Sequence, residues 1–474
     1  MARAYARPAV STARWLSHHL EEGVSGAKSG DFQVVRSRLS AVCLPPRTIL
    51  GRASSHERRS AVRRARTREP APETCQISPI GGAIHMFGSS LFRWRGRRSV
   101  LGALALGLGI PSALIPAAVP ALAAPPHFTL SQLVAPPGAV SNLAAVSTSS
   151  TTEEVFYVPQ NGSVQEKYFN ELNGWNATQV APPGSAAPFA DIAAVTRDRN
   201  TIVDKIDLFW IGPGGSVEHS YLQDGLPWLR YPSVAPAGSA STSGSLAAVS
   251  RANDTWEIFW VSPSGDVDDA WHYDSGASGQ FVMASHSIST PGVSYPRHIA
   301  AVSRTSNTME VFWIGQDGSI QDHYYYDGAG WNQFPQGLYP AGTALGLGSP
   351  AGAITVVSRA WNTMELWFTG RDYSVQDAYW YQGGFWNRFT LAGANSMESA
   401  IASAAPVSSA MDVFWNGYGS GTIELANFGP PWAISQVAPA GPPSQGNVAA
   451  VSRAPNHLDV FYVTFNGGID EAAS

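Results

Sequence analysis

The sequence predicts an all-β fold: a seven-bladed β-propeller of four-stranded antiparallel blades, its ring closed by the N-terminal strand of the mature chain. Three observations predict it. The phrase AAVSR, followed by EVFW and then DGSIQD, returns seven times from Leu143 to the C-terminus at a period of about fifty residues. Self-similarity at that period marks a propeller, solenoid or array. Each return consists of short β-branched and aromatic runs separated by turn residues, the pattern of hairpin-linked strands. The last return is one strand short, and the missing strand stands at the other end of the repeat region.

The first strand of each unit is marked by the valine of AAV, at Val146, Val195, Val249, Val302, Val357, Ala404 (a degraded copy) and Val451. The steps between them are 49, 54, 53, 55, 47 and 47 residues. The second strand carries an aromatic pair: Phe156-Tyr157, Phe209-Trp210, Phe259-Trp260, Phe312-Trp313, Trp367-Phe368, Phe414-Trp415 and Phe461-Tyr462. The third is led by a turn glycine in six copies, as in Gly318-Ser319-Ile320, and by Tyr373 in the fifth. A looser fourth segment holds an aromatic and a Pro/Gly turn, as in Trp331 and then Tyr339-Pro340-Ala341-Gly342. No stretch of the repeats sustains helical periodicity. Four strands per unit make a propeller blade.

The seventh unit stops after its third strand, at Ile469-Asp470-Glu471. The segment from His127 through Leu133-Val134-Ala135-Pro136 resembles the fourth segment Trp432 to Ala438 that leads into the seventh copy. It is therefore expected to complete blade seven, which hides the edges that a linear stack would leave open. A β-solenoid gives no reason to divide one unit between the two ends.

Residues 1–124 do not share this pattern. Residues 1–85 are Arg-rich, hold both cysteines, Cys43 and Cys75, and read as a mis-assigned or disordered upstream segment. Residues 86–124 read as an export signal peptide: Met86, arginines at Arg93, Arg95, Arg97 and Arg98, an apolar run from Val100 to Leu122, and the small-residue site Ala121-Leu122-Ala123. The adjacent arginines are twin-arginine-like, and the Sec route stays open because Ser99-Val100 departs from the fuller consensus. The expectation is translation from Met86 and a secreted, extracellular domain spanning 125–474. Prolines at 111, 116 and 120 argue against a membrane-spanning helix.

Removing the signal changes the charge. Of 30 Lys and Arg, 18 lie in residues 1–98; 12 remain downstream against 29 Asp and Glu, a formal charge of −17. Such a domain is not built for nucleic acid or anionic membrane, whose phosphates need Lys and Arg. Without cysteine it has no disulfides, and its stability must come from core burial.

Three recurring features are candidates for function. An acid precedes the aromatic pair in all seven copies: Glu154, Asp207, Glu257, Glu310, Glu365, Asp412 and Asp459. Upstream stand Arg197, Arg251, Arg304, Arg359 and Arg453, with Thr148 and Pro406 in copies one and six. The spacing sets Arg and acid on neighbouring antiparallel strands, either as a blade-stabilising ion pair or as a clamp for sugar hydroxyls. A second acid lies in the third strand at Glu166, Asp269, Asp322, Asp377 and Glu471, followed in four copies by Tyr168, Trp271, Tyr324 and Tyr379; copies two and six have His219 and Leu425. A carboxylate beside an aromatic face is how a shallow site holds a sugar, whose C–H face stacks while its hydroxyls need fixed partners; a surface strand with an edge aromatic is the alternative. Third, 14 tryptophans fall downstream of residue 124. Those of the second strand, Trp210, Trp260, Trp313 and Trp415, read as packing. Trp175, Trp228, Trp331, Trp386 and Trp432 in the fourth segment suit pockets between blades, and Trp256 and Trp361 fall in a hairpin where exposure is expected.

Catalytic signatures are missing. There is no GxSxG, HExxH or phosphate loop, and no sialidase Asp-box. The histidines, such as His219, His272, His323 and His457, occupy different positions in different copies, so no metal centre or cofactor is expected.

The AAVSR…EVFW…DGSIQD succession and its sevenfold count resemble the PLL-type bacterial lectins over residues 127–474. The resemblance implies shallow sites between adjacent blades, often for fucose or O-methylated sugars. Fungal fucose-specific lectins are more distant in appearance. They pair a second-strand Arg with a third-strand Glu twelve residues on, where this chain joins Glu310 to Asp322, acid to acid. The expected protein is a secreted, non-enzymatic, multivalent glycan binder with five or fewer working sites. Its candidate residues are Asp269, Trp271, Asp322, Tyr324, Trp331, Asp377, Tyr379, Trp386, Arg304, Glu310, Arg359 and Glu365. A scaffold for protein–protein contacts and a carbohydrate-active enzyme are the other readings, and the oligomeric state is open.

Overall fold

The structure, a computed structural model, describes residues 127–136, 143–188, 191–197, 205–223, 226–252, 255–273, 284–289, 299–334, 337–345, 352–428, 432–439, 447–455 and 457–474. The segments expected at 1–85 and 86–124 lie outside them. No helix among the described residues is long and apolar enough to cross a membrane.

Among the described residues, twenty-eight strands form seven antiparallel sheets of four. Blades 1 to 6 span residues 144–181, 192–230, 246–287, 299–333, 354–392 and 397–438, each a meander in chain order. Blade 7 takes three strands from 448–473 and its fourth from Thr129–Val134, which runs antiparallel to Ile469–Ala473 with Thr129 opposite Ala473 and Ser131 opposite Glu471. The expected closure is thus observed. The first strands of successive blades touch one another all the way round, so they form the inner wall of the ring.

Blade 4 shows why the sequence folds this way. Its strands are Ile299–Thr305, Thr308–Ile314, Ile320–Tyr326 and Gly330–Gln333. Side chains alternate faces along a strand. Phe312 and Ile314 therefore pack on Met364, Leu366 and Phe368 of blade 5, while Met309, Val311 and Trp313 pack on Phe259 and Val267 of blade 3. A propeller blade is covered on both faces, and the aromatic pair supplies one ring to each side. Phe312 is wholly buried and Trp313 is 1% exposed; each such side chain contributes about 1.5–3 kcal/mol of burial free energy. Three second-strand tryptophans fix their indoles to the preceding connection: Trp210 donates to Ser185 O at 3.0 Å, Trp260 to Ser239 O at 3.1 Å and Trp415 to Ser396 O at 3.1 Å.

The turn before the third strand explains its glycine. Gly318 has φ +77°, and a Cβ there would stand 2.8 Å from the carbonyl oxygen of Ala344. Blade 5 places Tyr373 at this turn with φ +62°, a left-handed conformation that is costly for an L side chain.

Candidate functional site in the clefts between blades

Strand register assembles one constellation at each junction. Phe312 stands opposite Asp322 and Glu310 opposite Tyr324, so both acids and the tyrosine project from one face of blade 4. The same pairing recurs as Phe156 with Glu166, Phe259 with Asp269, Trp367 with Asp377 and Phe461 with Glu471. The tryptophan at or just before the fourth strand of the next blade then covers this face. Trp228 packs edge-on against Phe156 at 5.6 Å, Trp331 against Phe259 at 5.8 Å, Trp386 against Phe312 at 5.7 Å, Trp432 against Trp367 at 6.1 Å and Trp175 against Phe461 at 5.8 Å. Two of these indoles are seen donating to the acid beneath: Trp228 Nε1 to Glu166 Oε2 at 2.8 Å and Trp175 Nε1 to Glu471 Oε2 at 3.2 Å. Where the acid is replaced by Leu425, the covering ring is Phe128, 6.3 Å from Phe414.

These third-strand acids are not at the surface, which corrects the alternative of a plain surface strand. Asp269, Asp322 and Asp377 are 0–1% exposed, because the next blade lies over the strand face that carries them. The second-strand acids are equally covered, so the Arg–acid pairs are not exposed surface pairs: the side chains of Arg304 and Glu310 are 5% and 7% exposed.

The junction of blades 4 and 5 is an open cleft of about 270 Å³. Glu310, Asp322, Tyr324 and Tyr326 form one wall, and Met364, Trp380, Phe385 and Trp386 the other. Arg304 sits at its edge. Its Nη2 donates to Glu310 Oε1 at 3.3 Å and Tyr326 Oη at 3.2 Å, its Nη1 donates to the Trp361 carbonyl at 3.3 Å, and its guanidinium lies 4.5 Å from the Trp380 ring centre. Arg304 Nε and Asp322 Oδ1 are buried and have no hydrogen-bond partner in the protein. Burial pushes Glu310 up to about 7 against the pull of Arg304, and burial together with the charge of Glu310 holds Asp322 well above the usual carboxylate range. With one of its carboxyls protonated, the pair can both donate to and accept from a ligand's hydroxyls.

Two neighbouring junctions repeat the arrangement. Between blades 3 and 4, Arg251 bonds Tyr273 Oη and Asp327 (2.8 Å), Tyr273 Oη reaches Glu257 at 3.3 Å, and Asp269, the half-buried Trp271 and Trp331 complete the set. Between blades 5 and 6, Arg359 donates to Tyr381 Oη at 3.0 Å and to the Ser408 carbonyl at 2.9 Å, near the Phe428 ring. Glu365 and Asp377 there are raised to about 9 and about 8, chiefly by burial, and Tyr379 stands opposite Glu365. At the ring closure, Arg453 lies 3.4 Å from Asp459 and over the Phe169 ring. The arginine thus does more than pair within its own hairpin: it reaches the next blade.

The remaining junctions differ. Between blades 2 and 3, Arg197 forks onto Asp207, His219 Nε2 lies 2.7 Å from Asp207 Oδ1, and His219 is sandwiched between Phe209 and Tyr231 at 4.7 and 5.4 Å. Those protein groups already satisfy the acid. Junctions 1/2 and 6/7 have Thr148 and Pro406 in place of the arginine. Junctions 3/4, 4/5 and 5/6 keep the full set; the ring-closing junction keeps its arginine and both acids but has Ala473 opposite Asp459, where blade 4 has Tyr324 opposite Glu310.

All twelve residues proposed from the sequence fall at junctions 3/4, 4/5 and 5/6. Trp256 was expected to be exposed and is 1% exposed, buried against Phe209; Trp361 is 61% exposed as expected. Sequence reasoning missed Tyr273, Tyr326 and Tyr381, whose hydroxyls meet the arginines, and Trp380 and Phe385. A signal existed for the tyrosines: they end the third strand only in copies three to five, where the arginine also occurs.

The fold and clefts define a seven-bladed propeller with polar sites between blades. No family model and no curated relative matches the chain. Among solved structures, it is similar to the BP39L lectin from Burkholderia pseudomallei, with 21% identity and a TM-score of 0.62 over 71% of this chain and 96% of that one. The fucose-specific lectin from Aleuria aurantia aligns at 16% identity and a TM-score of 0.44, over 66% of this chain and 99% of that one. The first likeness shows the shared fold.

Proposed function

We propose that this protein is a multivalent carbohydrate-binding protein, a lectin, that holds sugars in the clefts between blades. The observation that carries the reading is the 4/5 cleft, where Arg304, Glu310 and Asp322 of blade 4 supply fixed polar partners facing the indoles of Trp380 and Trp386 of blade 5. A sugar needs that combination, since its C–H face packs on an indole and its hydroxyls need donors and acceptors. Likeness to the BP39L lectin supports it at the level of fold. Met364 and Phe385 give the cleft an apolar side suited to the methyl of a deoxy sugar or of an O-methyl group, which favours fucose or O-methylated sugars. Repetition favours binding over catalysis: a shallow site of millimolar affinity, about −4 kcal/mol, gains a factor on the order of 10²–10⁴ in avidity when several act together. The export signal read at 86–124 supports an activity outside the cell.

A glycan array that includes fucosylated and O-methylated sugars tests the reading. Binding competed by a free monosaccharide and weakened by Arg304→Ala is the expected result. A blank array with folded protein would sink it and favour a scaffold for protein contacts; turnover of a bound glycoside would instead show an enzyme.

A further inference from the structure

One position of the second strand sets the ring-closing junction apart. The second position of the second strand is a buried apolar side chain in six blades: Ile206, Trp256, Met309, Met364, Met411 and Leu458. In blade 1 it is Glu153, 1% exposed. This carboxylate faces blade 7 and meets Asp459 and Glu471, so that one ligand oxygen from each of the three lies within 4.8 Å of the others. All three residues are buried.

The charges there are not balanced. Arg453 is the cation at hand, 3.4 Å from Asp459 and 4.0 Å from Glu153, and it also turns outward to Glu171 at 3.8 Å. Glu471 is held on Oε2 by the Ser131 hydroxyl at 2.8 Å and the Trp175 indole at 3.2 Å. Glu153 Oε2 accepts no hydrogen bond from the protein. One guanidinium faces three buried carboxylates, an arrangement that is costly unless a cation or protons enter.

We propose that Glu153, Asp459 and Glu471 form a divalent-cation site, of the calcium class, that ties the two ends of the ring together. Carboxylate oxygens are hard donors, and their spacing suits Ca²⁺–O bonds of about 2.3–2.6 Å, with water completing the shell. The site draws Glu153 from blade 1 and the two others from blade 7, so a bound ion bridges the closing junction. Its occupancy does not depend on the sugar-binding reading.

The test uses the whole protein, stripped of metal. Added Ca²⁺ is expected to raise the melting temperature by roughly 3–8 °C. Tb³⁺ is expected to luminesce on excitation of the neighbouring Trp175 and to be displaced by Ca²⁺. Glu153→Met, which installs the residue type of blades 4 to 6, should fold and should lose both responses. Absence of any Ca²⁺-dependent shift and of Tb³⁺ emission in the wild type would overturn the proposal, as would unchanged responses in Glu153→Met. Stabilisation by acid alone, unaffected by Ca²⁺, would show that protons compensate the cluster and would also overturn it.

Discussion

Trp228 of blade 2 gives its indole hydrogen to Glu166 of blade 1, 2.8 Å away, and packs the same ring edge-on against Phe156. One side chain thereby closes both the polar and the apolar parts of a junction. Trp228→Phe keeps the ring contact and orphans the acid, whose other oxygen already has no partner. A loss of about 1–3 kcal/mol is expected in chemical denaturation. Adding Glu166→Leu should recover much of it, because blade 6 pairs Leu425 with Phe128 in this way; a double-mutant cycle measures the coupling.

Arg304→Ala should remove one sugar site while leaving the others. Calorimetric stoichiometry is expected to fall by one site, and Arg304→Lys should restore it poorly. A lysine cannot bridge Glu310, Tyr326 and the Trp361 carbonyl together.

Asp207→Asn should have the opposite profile. Arg197 would keep its charge in a place where its side chain is 8% exposed. Breaking one member of a buried pair costs about 3–5 kcal/mol, so the denaturation midpoint should drop sharply. Sugar stoichiometry should not change, since Tyr231 and His219 fill this junction.

Stability should fall as pH rises. Burial raises Glu365 to about 9 and Asp377 to about 8, from ordinary values of 4.5 and 3.8. Such groups bind their protons more tightly folded than unfolded. Their stabilising effect is complete below the ordinary values and is lost as pH climbs through about 8–9. Melting temperatures from about pH 5 to pH 9 should therefore decline, and Glu365→Gln should flatten the slope.

The fold was legible because repetition supplied seven readings of one pattern, and the spare strand at Thr129–Val134 revealed the closure. The site was legible in part. Spacing located Glu310 and Asp322, but not that blade 5 would bury them, since a linear pattern shows which residues share a face and not what covers it. Trp380 escaped notice because its position holds Tyr325, Phe428 or Ser474 elsewhere, and only the folded junction shows it under Arg304. Glu153 was not singled out beside Glu154, and its meaning came from the Met, Ile, Leu and Trp that stand at the same place in other blades.

The closing ladder also sets how the molecule bears force. Thr129 is paired with Ala473, so the two ends of the described propeller leave from the same end of the ladder. A pull applied to both ends meets the backbone hydrogen bonds one pair at a time, unzipping the strand rather than shearing it. A pull that enters through a cleft such as that of Arg304 and Trp386 is taken up by packed blades instead, and the clasp at the termini stays out of the line of load.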